Sequence, residues 1–206
     1  MSYKLNEKNI QLIDFGVDKN DNLAFSFMEK TITVHDKKFS VSIHEQQILQ
    51  AVKRIATQLS VDVIGRKPLF LCVLNGGFMF AADLFKHISE PCEISFVKFA
   101  SYEGTESTGK VKELIGLNES VAGRLVVVIE DIVDTGRTML MMRNTLYKLG
   151  ASEVRIATLL LKPEALEVDV IVEYVAFQIP KDFVVGYGLD YDGLGRNYAD
   201  IYKVIE

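Results

Sequence analysis

The sequence predicts an α/β protein with a doubly wound, mainly parallel sheet and a small hood subdomain at its C-terminal edge. Short continuous apolar runs, typical of strands buried on both faces, alternate with segments whose apolar residues recur at helical spacing. This alternation ends after Pro163, where shorter strand-like pieces follow one another. We therefore expect one structural domain, with a core over residues 31–162 and a hood over residues 163–206. Residues 1–30 are an N-terminal extension to which the pattern assigns no role.

Local patterns predict the individual elements in chain order. A hairpin is expected over residues 31–42, because its strands alternate around Asp36 and Lys37. The residues Ser42-Ile43-His44-Glu45 have the form of a capping box and predict that a helix begins there. The remaining predictions are strands over 69–74, 93–99, 125–129 and 154–161, helices over 78–88 and 138–149, and strand-like pieces over 168–175, 176–179 and 183–185.

Length, charge and cysteine content restrict the class of protein. A chain of 206 residues can bury a substantial core, and a net charge of −5 provides no basic surface for nucleic acid. No apolar run approaches the length needed to cross a bilayer, and the N-terminus lacks the apolar segment of a signal peptide. Cys72 and Cys92 lie in or beside apolar runs and are expected to be reduced. We therefore expect a cytoplasmic protein with neither nucleic-acid nor membrane partners.

The most informative segment covers residues 125–138. An apolar run meets two adjacent carboxylates, Glu130 and Asp131, and Asp134 with the loop Thr-Gly-Arg-Thr follows before a helix. Ligands of open parallel sheets bind at the carboxyl ends of strands, and helix N-termini attract phosphate. The carboxylates suit sugar hydroxyls, whereas the loop offers backbone N–H groups, hydroxyls and a cation to a phosphate. These residues alone leave two interpretations open, a phosphosugar or nucleotide site and an acidic strand end that binds a metal ion.

A second segment, residues 183–191, is an apolar run interrupted by glycines and followed by an acid, and taken alone it predicts a core strand with a turn. The 130–138 segment, however, resembles the phosphoribosyl-pyrophosphate (PRPP) fingerprint of type I phosphoribosyltransferases. With four further motifs in the same order, the chain from about Thr31 onward resembles the 6-oxopurine, or hypoxanthine-guanine, branch of that family. Those further motifs are Leu74-Asn75-Gly76-Gly77, Ser101-Tyr102, Lys162, and the 183–191 segment with Arg196.

The resemblance implies a transferase of purine salvage. Such an enzyme moves the 5-phosphoribosyl group of PRPP to N9 of hypoxanthine or guanine, yields IMP or GMP and pyrophosphate, requires Mg²⁺ and forms a homo-oligomer, either a dimer or a tetramer. Three alternatives remain: a transferase that prefers xanthine, a PRPP-sensing regulatory or RNA-binding relative, and a receiver-like domain with acids at its strand ends. The acidic composition disfavours an RNA-binding relative, and a receiver-like domain does not account for Lys162 or the 183–191 segment.

The resemblance also implies a role for each matched residue. Asp134 would accept the proton that leaves purine N7 and would act as the catalytic base. Lys162 would donate to the 6-oxo group, which excludes adenine because its 6-amino group is itself a donor. The implied PRPP-binding residues are Glu130, Asp131, Asp134, Thr135, Gly136, Arg137, Thr138, Asn75, Gly76 and Arg196. The implied purine-binding residues are Lys162, Phe183, Val184 and Asp190; the implied Mg²⁺ ligands are Asp190, Glu130 and Asp131; and the implied lid residues are Ser101 and Tyr102.

Two positions depart from the family pattern. Arg137 stands where Lys is commoner, and Asn75 stands where Lys is usual, so Asn75 could weaken PRPP binding unless the loop acts through its backbone. The resemblance also implies a cis peptide bond between Leu74 and Asn75. The small polar residues over 102–109 are expected to form a lid that is mobile without ligand.

Overall fold

The core of the molecule is a six-stranded sheet in the order β5-β4-β3-β6-β7-β8. We describe it from a computed structural model that covers residues 30–99 and 114–206. Five of these strands run parallel, and β5 pairs antiparallel with β4 at one edge. The bounds are β1 Thr31–Val34, β2 Lys37–Ile43, α1 Glu45–Asp62, β3 Leu69–Val73, α2 Phe78–Phe85, β4 Glu93–Phe99, β5 Leu114–Ile115, β6 Leu125–Val133, α3 Arg137–Lys148, β7 Glu153–Leu161, β8 Tyr174–Gln178, β9 Val184–Val185 and β10 Ile201–Val204.

Helices cover both faces of this sheet, which confirms the predicted doubly wound fold. Phe70, Cys72 and Ile129 pack in one buried cluster with the apolar faces of α1 and α2. Their neighbours along the strands, such as Leu71 and Val128, pack in a second cluster with α3. Alternate residues of a strand point to opposite faces, so a fully apolar run is needed where both faces are covered.

Several element ends differ from the sequence prediction because capping contacts decide them. Helix α1 begins after His44, whose N–H donates to Gln47 Oε1 at 2.9 Å, whereas the predicted cap Ser42 lies in β2. Helix α2 ends at Phe85, earlier than predicted, and α3 begins one residue earlier, at Arg137. The predicted C-terminal cap of α3 is confirmed: Gly150 has φ of 92°, and the next amide, Ala151 N–H, donates back to Leu146 O.

The hood is a four-stranded antiparallel sheet in the order β1-β2-β10-β9. It therefore combines the predicted N-terminal hairpin with the end of the chain, whereas the sequence placed residues 31–42 in the core. Conversely, β8 lies within the predicted hood but extends the core sheet beside β7. The predicted boundary at residue 162 therefore does not separate the two sheets, since β1 and β2 lie in the hood sheet and β8 lies in the core sheet. A strand's own alternation does not reveal which open sheet edge it will join.

Asp200 connects the hood to the start of α1. Its carboxylate accepts from Lys30 Nζ at 2.7 Å and from the Glu45 amide at 2.9 Å, and its side chain is 10% exposed. Burial acts to raise the pKa of Asp200, but these hydrogen bonds outweigh burial and hold the pKa below its ordinary value. A carboxyl group whose pKa is lower in the folded state stabilises the fold above its unfolded-state pKa, and the stabilisation is lost as the pH falls.

We therefore expect Asp200→Asn to lower the free energy of unfolding at pH 7 by about 1–2 kcal/mol, and the melting temperature by about 2–8 °C. The difference from the wild type should shrink as the pH falls below about 4, because Asp200 then becomes protonated and neutral, as asparagine is at every pH. Thermal unfolding of the wild type and Asp200→Asn, from pH 7 to below about 4, measures the difference in melting temperature. Glu206→Gln is the matched control, since it removes an exposed pair with Lys38 and should change little. Equal melting temperatures for Asp200→Asn and wild type at pH 7 would contradict the prediction.

Candidate active site

The sequence-predicted site residues of the core meet at the carboxyl edge of the parallel sheet. Strand β3 ends at Val73, whereas β6 continues beyond it and pairs with β7 as far as Val133. Glu130 and Asp131 therefore lie within β6 rather than after it, which corrects the predicted strand end at Ile129. Because β3 pairs with β6 only up to Ile129, the two acids lie beside the loop that follows β3.

That loop approaches Asp131 closely. A β-carbon built on Gly76 would overlap the Asp131 carboxylate, so the approach requires glycine at this position. The peptide bond between Leu74 and Asn75 is cis, as predicted. Glu130 is buried, and burial followed by the neighbouring Asp131 carboxylate raises the pKa of Glu130 well above its ordinary value. The result is a compact acidic surface bordered by backbone, suited to hydroxyl groups.

We expect Gly76→Ala to lower kcat/KM for the phosphorylated substrate that the family resemblance implies by about 100-fold, because the methyl group must displace the Asp131 carboxylate from its position. The fold should survive, since the displaced atoms are the end of a side chain. Steady-state kinetics and thermal unfolding measure the two effects. Gly65→Ala is the control: a β-carbon there meets no atom within 4 Å, so any loss of stability should leave activity unchanged. Normal kinetics in Gly76→Ala would show that the approach has no functional role.

Lys162 and Asp134 form an ion pair at this edge. Lys162 directly follows β7, and its Nζ lies 2.8 Å from Asp134 Oδ2. The Lys162 side chain is 10% exposed, whereas that of Asp134 is 50% exposed. The Lys162 amide also donates to Val133 O at 3.0 Å, which joins the ends of β6 and β7. The structure therefore presents one donor group and one acceptor group side by side, with the acceptor open to solvent.

The Thr-Gly-Arg-Thr loop leads into α3. Gly136 has φ of 78°, and a β-carbon there would lie 2.7 Å from Val170 Cγ1, so this tight turn requires glycine. Arg137 pairs with Glu167 at 2.6 Å, and the Glu167 amide donates to Thr135 O. Sequence reasoning missed Glu167, since no motif includes it. Its contact neutralises the cation that the resemblance assigns to phosphate.

The hood contributes Asp190 and Arg196, which contact each other. Arg196 Nη2 lies 2.7 Å from Asp190 Oδ1, and Arg196 Nη1 donates to Gly188 O at 2.7 Å. A β-carbon on Gly188 would overlap Gly76 O, so the hood turn packs directly on the loop after β3. The contact between these glycines brings Asp190 and Arg196 toward the acidic surface of the core.

The 183–191 segment begins with an exposed residue, Phe183, and a buried one, Val184. The Phe183 side chain is 41% exposed, and its carbonyl accepts from Val204 N–H at 2.9 Å. Backbone groups alternate in direction along an antiparallel strand, so those of the next residue, Val184, point away from β10 toward the open edge of the sheet. Within residues 30–99 and 114–206, no further strand pairs with this edge of β9, so an exposed aromatic residue lies next to backbone groups that suit a planar heterocycle.

Residues 41–192 match the phosphoribosyl transferase domain family. A hypoxanthine-guanine phosphoribosyltransferase of Streptococcus thermophilus is 44% identical over 162 residues, which is 77% of this chain and 90% of that protein. The chain belongs to the hypoxanthine-guanine phosphoribosyltransferase family.

Solved structures of phosphoribosyltransferases share this fold. A hypoxanthine phosphoribosyltransferase of Staphylococcus aureus superimposes with a TM-score of 0.75 at 38% identity, over 81% of this chain and 91% of that one. A hypoxanthine-guanine phosphoribosyltransferase of Bacillus anthracis gives a TM-score of 0.74 at 38% identity, over 81% of this chain and 97% of that one. The predicted phosphoribosyltransferase fold and family are therefore confirmed.

The described residues fit a Mg²⁺ ion that binds together with a phosphorylated ligand. Within residues 30–99 and 114–206 there is no group of three or more His, Cys, Asp or Glu side chains arranged as a metal site. Mg²⁺ is commonly held by one or two carboxylates together with substrate phosphates and water, so such a group is not required. Asp190 is a partly exposed oxygen donor of this kind, although its carboxylate also bonds Arg196 and Gly193 N–H.

The predicted lid lies outside the described residues; it comprises Ser101, Tyr102 and the stretch over 102–109 that the sequence predicts to be mobile. Across the described ranges, no helix is long and apolar enough to span a bilayer.

Proposed function

We propose that this phosphoribosyltransferase transfers the 5-phosphoribosyl group of PRPP to N9 of a 6-oxopurine, hypoxanthine or guanine, and releases pyrophosphate. The observation that carries the proposal is the Lys162–Asp134 pair, with 2.8 Å between donor and acceptor atoms. A 6-oxopurine presents O6 and N7 next to each other on one edge. Lys162 donates to O6, and Asp134 contacts N7.

In the reaction, the purine N9–C1′ bond forms as the bond between C1′ and the pyrophosphate oxygen breaks. The proton on N7 passes to Asp134, which is half exposed and therefore open to the base. Glu130 and Asp131 bind the ribose hydroxyls, and the negative charge of this surface stabilises positive charge that develops on the ribose ring. When bound, Mg²⁺ would neutralise pyrophosphate charge, and the carboxylates of Asp190, Glu130 and Asp131 would hold it.

The other contacts position the two substrates. Residues 135–138 surround the 5′-phosphate with backbone N–H groups and the two threonine hydroxyls at the start of α3. Arg137 reaches the phosphate only by leaving Glu167, which opposes its contribution. Arg196 and the backbone of Asn75 and Gly76 bind pyrophosphate. Phe183 stacks on the purine, and the backbone of Val184 contacts its edge.

An assay with PRPP and Mg²⁺ tests the proposal, with hypoxanthine, guanine, xanthine or adenine supplied in turn and the nucleotide product measured. We expect conversion of hypoxanthine and guanine to IMP and GMP, with a stoichiometric release of pyrophosphate. Faster conversion of xanthine than of hypoxanthine would replace the proposal with a xanthine-preferring enzyme. PRPP binding by calorimetry without turnover of any base would instead identify a PRPP-sensing relative.

We also propose that the protein is a homo-oligomer. Phe78 at the start of α2 and Phe96 on β4 are 42% and 44% exposed, and Phe96 pairs in register with Cys72, whose side chain faces the α2 side of the sheet. Exposed aromatic residues on one face favour association. Light scattering after gel filtration should show a dimer or tetramer, with dissociation by Phe96→Glu. A monomeric wild type would refute this proposal.

We further propose a cytoplasmic location, with which the free thiols of Cys72 and Cys92 agree.

A further inference from the structure

The ring of Phe183 has an aromatic support within the hood. Tyr191 meets it edge-to-face, with ring centroids 5.4 Å apart and an interplanar angle of 87°. The ring of Phe39, which is fully buried, lies 6.0 Å away in a tilted arrangement. Phe183 is nevertheless 41% exposed. Two aromatic rings therefore brace the Phe183 ring, and part of its surface stays open to a ligand.

Tyr191 is held in turn by the β1–β2 hairpin, at the other end of the described chain. Its hydroxyl donates to Asp36 Oδ1 at 2.8 Å. The ring of His35 meets it edge-to-face at 5.2 Å, and Lys37 Nζ lies 5.8 Å from its centroid. Three consecutive residues at this turn thus contact the Tyr191 side chain, and none of the roles assigned above explains these contacts.

We propose that Tyr191 is a positioning residue for purine binding, and that Asp36 in the hairpin turn holds Tyr191 in place. The inference rests on the proposed function, in which Phe183 stacks on the base. An exposed ring free to change rotamer loses that freedom when a base stacks on it, whereas a braced ring has lost it already. The brace therefore strengthens purine binding and leaves PRPP binding unchanged.

Substitutions at Tyr191 and Asp36 distinguish the contribution of the Tyr191 ring from that of its hydrogen bond to Asp36. Tyr191→Leu removes the edge-to-face contact and should raise KM for hypoxanthine by about 2- to 10-fold at saturating PRPP, with kcat and KM for PRPP unchanged. Tyr191→Phe keeps the ring and loses only the hydrogen bond, so it should restore most of the affinity. Asp36→Ala removes the same hydrogen bond and should match Tyr191→Phe. Tyr198→Leu is the control, since the Tyr198 ring packs on the ring of Tyr202 in the same hood cluster and should leave KM for hypoxanthine unchanged.

A double-mutant cycle with Phe183→Leu tests whether Tyr191 acts through Phe183. In that background, Tyr191→Leu should have no further effect on KM for hypoxanthine. Independent effects of the two substitutions, or equal increases in KM for hypoxanthine and PRPP, would overturn the inference while leaving the proposed function intact. A wild type that does not convert hypoxanthine would refute the proposed function itself. If Tyr191→Leu does not fold, Tyr191→Met, which also removes the ring, replaces it in the cycle, and an unchanged KM for hypoxanthine in that variant overturns the inference.

Discussion

Asp134→Asn is expected to lower turnover by about two to four orders of magnitude, the range typical of a lost general acid–base group. The asparagine side chain keeps the shape of the carboxylate but cannot take the N7 proton. Asp134 is half exposed beside the buried Lys162 Nζ, so it has both access to the base and a charged neighbour that orients it. Single-turnover kinetics with PRPP and hypoxanthine measure the chemical step directly.

The substitution also removes the counter-charge of Lys162, so its effects on binding and stability need separate measurement. The dissociation constant of PRPP from calorimetry and the melting temperature should stay close to those of the wild type. Asp169→Asn is the control, because Asp169 is an exposed acid in the segment that follows Lys162. Turnover near the wild-type rate in Asp134→Asn would eliminate the assignment of this residue as the proton acceptor.

Hypoxanthine should be preferred to adenine by about 10⁴- to 10⁵-fold in kcat/KM. Lys162 carries only donors, and its side chain is buried. The 6-amino group of adenine would place a donor against the ammonium and leave both groups unpaired away from water. Competition between the two bases for a limiting amount of PRPP, with products separated by chromatography, measures the ratio.

Lys162→Gln tests whether this side chain is the source of the preference. A glutamine amide can donate or accept, so the ratio between the bases should fall, mainly because turnover of hypoxanthine decreases. Lys203→Gln is the control, since Lys203 is an exposed lysine on β10 and should leave the ratio unchanged. Comparable rates with adenine and hypoxanthine in the wild type would remove the basis for assigning a 6-oxopurine substrate.

The core of the fold and the positions of its acids were predictable from local patterns. The apolar runs of β3, β6 and β7 predict strands that are buried on both faces. These runs are apolar throughout because helices cover both faces of the sheet. Parallel strands align their carboxyl ends, so residues that follow or end such strands must lie near one another. Glu130, Asp134 and Lys162 were therefore placed at one edge without any knowledge of their contacts.

Sheet membership and ion-pair partners depended on the tertiary structure. The N-terminal hairpin joins β10, and β8 joins β7, because each strand pairs with an open edge that its own alternation does not specify. Strands β5 and β10 are not among the predicted elements; they pair with the edges that β4 and β2 offer.

The tertiary structure also decides which polar side chains contact each other. Glu167 lies beside Arg137, and Asp36 beside Tyr191, although 155 residues separate the second pair. Local sequence determines which face of an element is apolar and which residues end it, because both follow from the period of the backbone. Contacts between polar groups distant in the chain are determined only when whole layers pack, since many carboxylates could satisfy one donor and the fold decides which of them come within reach.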